Sequence, residues 1–102
     1  MKDGMVTVIL GGELDLLCRE FLSEHLMRVA ASEPQRLVFD MAGVRFVDCD
    51  AARALANTGR FLPYGSRPVI RNPRPAVRRL FQLTGLDAYC VLEEGGHEHL
   101  RS

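Results

Sequence analysis

Residues 36–59 read RLVFDMAGVRFVDCDAARALANTG, and the fold turns on how this stretch is read. Leu37-Val38-Phe39 is a short apolar run closed by Asp40. No polar alternation interrupts it, so it reads as a strand buried on both faces. Residues 41–44 are expected to turn, and Arg45-Phe46-Val47 to re-enter the core. Asp48-Cys49-Asp50 follows, and then Ala51 to Asn57, rich in alanine and leucine, which favour helix. Either aspartate suits the N-cap, and both sit well at the positive end of the helix dipole. The order is strand, turn, acidic knuckle, helix. Residues at such a knuckle are held at a helix N-terminus beside a strand end, a common place for function in α/β proteins.

On the N-terminal side, residues 5–10, MVTVIL, form a β-branched run expected as a strand, and Gly11-Gly12-Glu13-Leu14-Asp15 leads out of it. Residues 16–32 have helical periodicity. Leu17, Phe21 or Leu22, Leu26 and Val29 fall on the inner side, with Arg19, Glu20, Glu24 and Arg28 on the outer. Asp15 suits its N-cap and Pro34 its stop.

On the C-terminal side, the knuckle helix should bury Ala51, Ala54, Leu55 and Thr58 and present Arg53, Asn57 and Arg60 at i, i+4 and i+7 as a polar stripe. Residues 67–71 read as a short strand, and Asn72-Pro73-Arg74-Pro75 as a stiff loop. Residues 76–83 read as an amphipathic helix burying Val77, Leu80 and Phe81, with Pro75 in its first turn and Gly85 as its cap. Residues 88–92 are expected as the last strand and 93–102 as a polar tail. Strands that alternate with helices argue for a sheet layered with helices on one face.

Three of these segments together resemble the STAS domain, the fold of bacterial anti-sigma factor antagonists. Gly12-Glu13-Leu14-Asp15 is similar to the family's Gly-Glu-Leu/Ile-Asp signature. Val38-Phe39-Asp40 with Phe46-Val47-Asp48 resembles its central motif, and residues 77–86, VRRLFQLTGL, its late helix. The resemblance covers residues 6–92 and implies one domain over 1–102. It implies an α/β fold with a mixed sheet of about four to five strands and helices packed mainly on one face. It also implies a non-enzymatic module that binds an anti-sigma factor or similar kinase-like regulator to control transcription. The serine that is phosphorylated in family members follows the second aspartate, and here that position is Cys49. The next Ser/Thr position is Asp50, and the usual glycine is Ala51. Asp15, Asp48 and Asp50 fall in the expected switch loop. Partners of the family dock largely on the knuckle helix, which makes Arg53, Asn57 and Arg60 the expected contact stripe. The family usually has one more strand before residues 5–10, and only about four residues are present there. An open strand edge is a template for pairing, so a homodimer is a further expectation.

Composition narrows the alternatives. With 47% hydrophobic and 25% charged residues, the chain is typical of globular proteins and unlike disordered ones. Thirteen basic residues offset thirteen acidic ones, so no global field draws nucleic acid or an anionic membrane. No apolar run approaches the roughly 20 residues of a membrane span, and no signal segment opens the chain, so a cytoplasmic location is expected. No motif calls for a cofactor. Cys18, Cys49 and Cys90 lack Cys-x-x-Cys spacing and are expected as reduced, small apolar side chains. His97-Glu98-His99 is weak as a metal site, having no third fixed ligand.

Two other functions stay open at this point. One is a STAS subunit of a lipid-transport ATPase. The other is a redox switch or small thiol enzyme acting through Cys49. A helix N-terminus favours a thiolate, but flanking carboxylates oppose it, and no histidine is close in sequence to serve as base. Asp50 reads either as an ordinary helix N-terminal charge or as a weak imitation of a phosphate. Arg71, Arg74, Arg78 and Arg79 form a basic cluster, read as a solvated rim rather than a phosphate site.

Overall fold

In the computed structural model, which describes residues 4–94, the chain alternates strand and helix throughout. β1 spans Met5–Leu14, α1 Arg19–Ala31, β2 Arg36–Val47, α2 Cys49–Ala56, β3 Val69–Arg71, α3 Pro75–Leu83 and β4 Val91–Glu93. Short 3-10 turns at Leu16–Cys18, Asn57–Phe61 and Leu86–Tyr89 join them. The four strands lie in the order β1-β2-β3-β4, and every pair is parallel. Among the described residues the expected α/β sheet of four to five strands has four, and its pairing is parallel throughout rather than mixed because a helical segment crosses over between each strand and the next. Right-handed crossovers that always step the same way along a sheet place every helix on one face.

The core follows from that layering. Val8, Phe39, Ile70 and Leu92 share one row across the sheet. Leu22, Leu26 and Val29 of α1, Ala51, Ala52, Leu55 and Ala56 of α2, and Val77 and Phe81 of α3 pack over it. Leu37, Val38 and Phe39 are consecutive and all buried, so β2 is shielded on both faces, as an unbroken apolar run requires.

Residues 41–44 do not turn. β2 continues through them, paired with β1, and two register shifts absorb the excess length. Met41 and Ala42 stand opposite Leu10 alone, and Arg45 is a second extra residue before Phe46 meets Glu13. These bulges reset the alternation, so Met41 and Val44, three apart, are both fully buried. Gly12 lies at the second shift with φ of 76°, a conformation that costs any residue with a Cβ. Phe46 stays half exposed at 50% rather than returning to the core.

Two other expectations shift. Leu17 is 94% exposed, because the first turn after β1 is 3-10 and α1 begins only at Arg19. At three residues per turn, that segment is out of phase with the helix that follows. The last strand starts at Val91, after the 3-10 turn that begins behind Gly85 at φ 79°. β4 reaches Glu93, which pairs with Arg71 at 2.8 Å and so belongs to the sheet rather than the tail.

Candidate functional site

The knuckle forms where β1 and β2 end side by side. The Asp48 amide donates to the Leu14 carbonyl at 3.0 Å, tying the start of α2 to the end of β1. The Asp48 carboxylate accepts from the Ala51 amide at 2.8 Å and caps α2. Capping of this kind is worth about 1 kcal/mol. Asp15 serves the neighbouring turn in the same way, its Oδ1 accepting from the Leu17 amide at 3.1 Å. Cys18 completes that turn. Its amide donates to the Asp15 carbonyl, and its thiol donates to the same carbonyl at 3.3 Å.

Asp50 is held differently. Its carboxylate receives Arg19 of α1 at 3.3 Å and Arg53 of α2 at 3.2 Å. Arg19 read from sequence as part of the solvated side of α1. No local signal marks it, because its partner Asp50 lies 31 positions away on another helix. Asp15, Asp48 and Asp50 come together with Arg19, Leu22 and Ala51 around a cleft of about 340 Å³ between the starts of α1 and α2. Cys49, the first residue of α2, lies between Asp48 and Asp50 in the chain and is exposed, but it does not line the cleft.

The stripe of Arg53, Asn57 and Arg60 is exposed along its length. Its geometry is less regular than a continuous helix implies, because α2 stops at Ala56 and Asn57 and Arg60 stand on the 3-10 turn. Beneath them, Thr58 is buried, and its hydroxyl donates to the Leu55 carbonyl at 2.6 Å, which satisfies the one polar group on that face. Asn57 and Arg60 line a second recess, of about 290 Å³, against Met27 and Phe61.

The cysteines part company. Cys90 is buried in the core, and burial, with a smaller push from Asp87 against a pull from Arg67, raises its thiol to about 12. It behaves as an inert apolar residue. Cys18 is half buried and Cys49 exposed, so the small apolar reading does not extend to Cys49. No histidine lines the cleft beside Cys49, and His25 stacks on Phe21 with ring centroids 5.7 Å apart.

The basic cluster is largely occupied from within. Arg71 pairs with Glu93, Arg78 with Glu94, and Arg74 donates to the Ala42 carbonyl. Among the described residues no group of three or more His, Cys, Asp or Glu side chains is placed to hold a metal ion, and His97-Glu98-His99 lies outside them. Among the described residues no helix is long and apolar enough to cross a membrane.

A family model described as the STAS domain matches residues 1–98 of the chain. This protein belongs to the STAS domain family. Among its STAS relatives is the anti-sigma-F factor antagonist RsfB of Mycobacterium tuberculosis, 29% identical over 98 residues that span 96% of this chain and 80% of RsfB. A crystal structure of an anti-sigma factor antagonist from Mycobacterium paratuberculosis is 34% identical, covering 91% of this chain and 80% of that one, with a TM-score of 0.76. SpoIIAA in its unphosphorylated form covers 98% of this chain and 89% of its own at a TM-score of 0.74. At 20% identity it speaks for the STAS fold alone.

Proposed function

We propose that this STAS domain is a non-enzymatic, cytoplasmic antagonist of an anti-sigma factor or similar kinase-like regulator. It binds that regulator through the knuckle and the exposed side of α2, and it is not controlled by phosphorylation at the knuckle. The observation that carries this reading is Cys49. The position expected to hold a phosphorylated serine is exposed at the first residue of α2, beside the Asp48 cap, and has a thiol instead of a hydroxyl. The surrounding framework is that of an antagonist family, as the likeness to RsfB supports.

Asp50 does not supply the missing charge. A phosphoserine carries about −1.5 to −2 on three strong acceptor oxygens. The single charge of Asp50 is met by two guanidiniums. The knuckle thus keeps the electrostatics of an unmodified antagonist, and the protein stays competent to bind at all times. Arg53, Asn57 and Arg60 provide contacts of the kind that dominate interfaces, since arginine brings a planar fork and a long apolar stem.

Titrating the purified protein with each anti-sigma factor of the source organism, with and without ATP, tests the reading. The expected result is tight binding to one of them that prior incubation with ATP leaves unchanged. Binding to none of them would overturn the assignment, and binding that ATP abolishes would overturn the loss of phosphorylation control.

A further inference from the structure

At the end of α2 opposite the knuckle there is a third recess, of about 330 Å³, where the turn Asn57–Phe61, the loop before β3 and the turn Leu86–Tyr89 meet. Its polar side chains are Asn57, Arg60, Ser66, Arg67 and Tyr89. Each of the five can donate a hydrogen bond, and no carboxylate lines the recess. Both guanidiniums are placed by contacts that leave their charge unmatched. Arg67 donates to the Ala88 carbonyl at 3.2 Å, and Arg60 lies over the Phe61 ring, 5.0 Å from its centroid. Among the described residues neither is ion-paired.

The negative groups nearby are weaker than this pair. The C-terminal end of a helix such as α2 amounts to about half a negative charge. Asp87 is close enough to act on Cys90 alongside Arg67, but it stands outside the lining. Two full positive charges exceed both.

We propose that this recess is a receptor for a single oxyanion, a carboxylate or a phosphate, gripped by Arg60 and Arg67 with Asn57, Ser66 and Tyr89 completing its hydrogen bonds. Guanidinium forks match the paired oxygens of either group, and such charge-assisted bonds are about twice as strong as neutral ones. The site needs neither the knuckle nor a bound regulator, so it stands or falls apart from the antagonist reading, although Asn57 and Arg60 serve both.

Nuclear magnetic resonance on the ¹⁵N-labelled full chain tests this, with ionic strength held constant by sodium chloride. One arm adds inorganic phosphate. The other adds a blocked peptide, Leu-Glu-Glu-Leu. Saturable shifts of the Asn57 and Gly59 amides and of the Arg60 and Arg67 side-chain N–H signals support the receptor. Saturation by phosphate alone assigns it to free phosphorylated ligands, and saturation by the peptide alone to a protein-borne carboxylate. Arg60→Gln and Arg67→Gln should each weaken binding about tenfold or more, and Asp87→Asn should tighten it. No saturable shift with either probe would overturn the proposal, as would saturation unchanged in both glutamine variants with native-like spectra.

Discussion

The guanidinium of Arg19, in the first turn of α1, meets the carboxylate of Asp50, in the first turn of α2, at 3.3 Å. Both side chains are more than half exposed, so the pair contributes at most about 1 kcal/mol to stability. Its significance is electrostatic. With Arg53 on the other carboxylate oxygen, Asp50 offers no bare charge to an approaching partner.

The first prediction concerns phosphorylation. Incubation with the cognate regulator and ATP should leave residues 46–58 without phosphate by mass spectrometry, and Cys49→Ser should restore an acceptor. Phosphate on the unaltered chain within those residues would refute the proposed loss of control.

Arg53→Ala should weaken partner binding by about 1–3 kcal/mol while changing stability by less than about 0.5 kcal/mol, since only an exposed ion pair is lost. Cys49→Glu should also weaken binding, because it places a full negative charge on the exposed first residue of α2, inside the proposed docking face. Calorimetric titration measures both, and unchanged affinity in both variants would place the partner on another face.

Two phenylalanines of the central stretch should behave differently. Phe39 is fully buried, and Phe39→Ala should cost roughly 3–5 kcal/mol in urea unfolding. Phe46 is half exposed, and Phe46→Ala should cost under about 1.5 kcal/mol. Equal costs would mean that the bulged end of β2 packs otherwise than described.

Asp48→Ala removes the cap of α2 and should cost about 1 kcal/mol, whereas Asp48→Asn, which keeps an acceptor, should cost much less. Thermal unfolding of the two variants side by side gives the comparison.

Cys90 makes stability depend on alkaline pH. Its thiol is near 12 in the folded protein against an ordinary value of 9.0. The unfolded chain therefore loses this proton first as pH rises. The stabilisation is complete below about 9 and is lost progressively up to about 12. Cys90→Ala should flatten the fall in urea midpoint across that window. In the native protein, thiol reagents should label Cys49 readily and reach Cys90 only on unfolding.

What could be read from sequence was set by local signals. The apolar run Leu37-Val38-Phe39, an aspartate cap at the knuckle and the Pro75 start and Gly85 end of α3 each depend on neighbours within a few residues and stand where expected, with Asp48 the one of the two aspartates that caps. What escaped depends on distant partners. Gly43 invites a turn when seen alone, but a strand continues through it because β1 is alongside to pair with. Leu17 keeps helical spacing in the sequence, yet a 3-10 turn shifts its phase. The approach of Arg19 to Asp50 spans 31 positions, which no periodicity encodes. Arg67 and Tyr89, from separate loops, meet Arg60 only once the sheet is assembled.

The order β1-β2-β3-β4 has a consequence for synthesis on the ribosome. No strand has to be inserted between two that are already paired, so each adds to an open edge as it emerges. β1 and β2, by far the longest pair, are complete once Val47 is out, and the three-residue strands β3 and β4 then extend a template that already exists. Loop-closure entropy is met in small instalments rather than in one large step. The knuckle is made directly after that first ladder closes, so the proposed docking end of the molecule is among the earliest parts to take shape, and the recess proposed for an oxyanion, which needs Tyr89, is among the last.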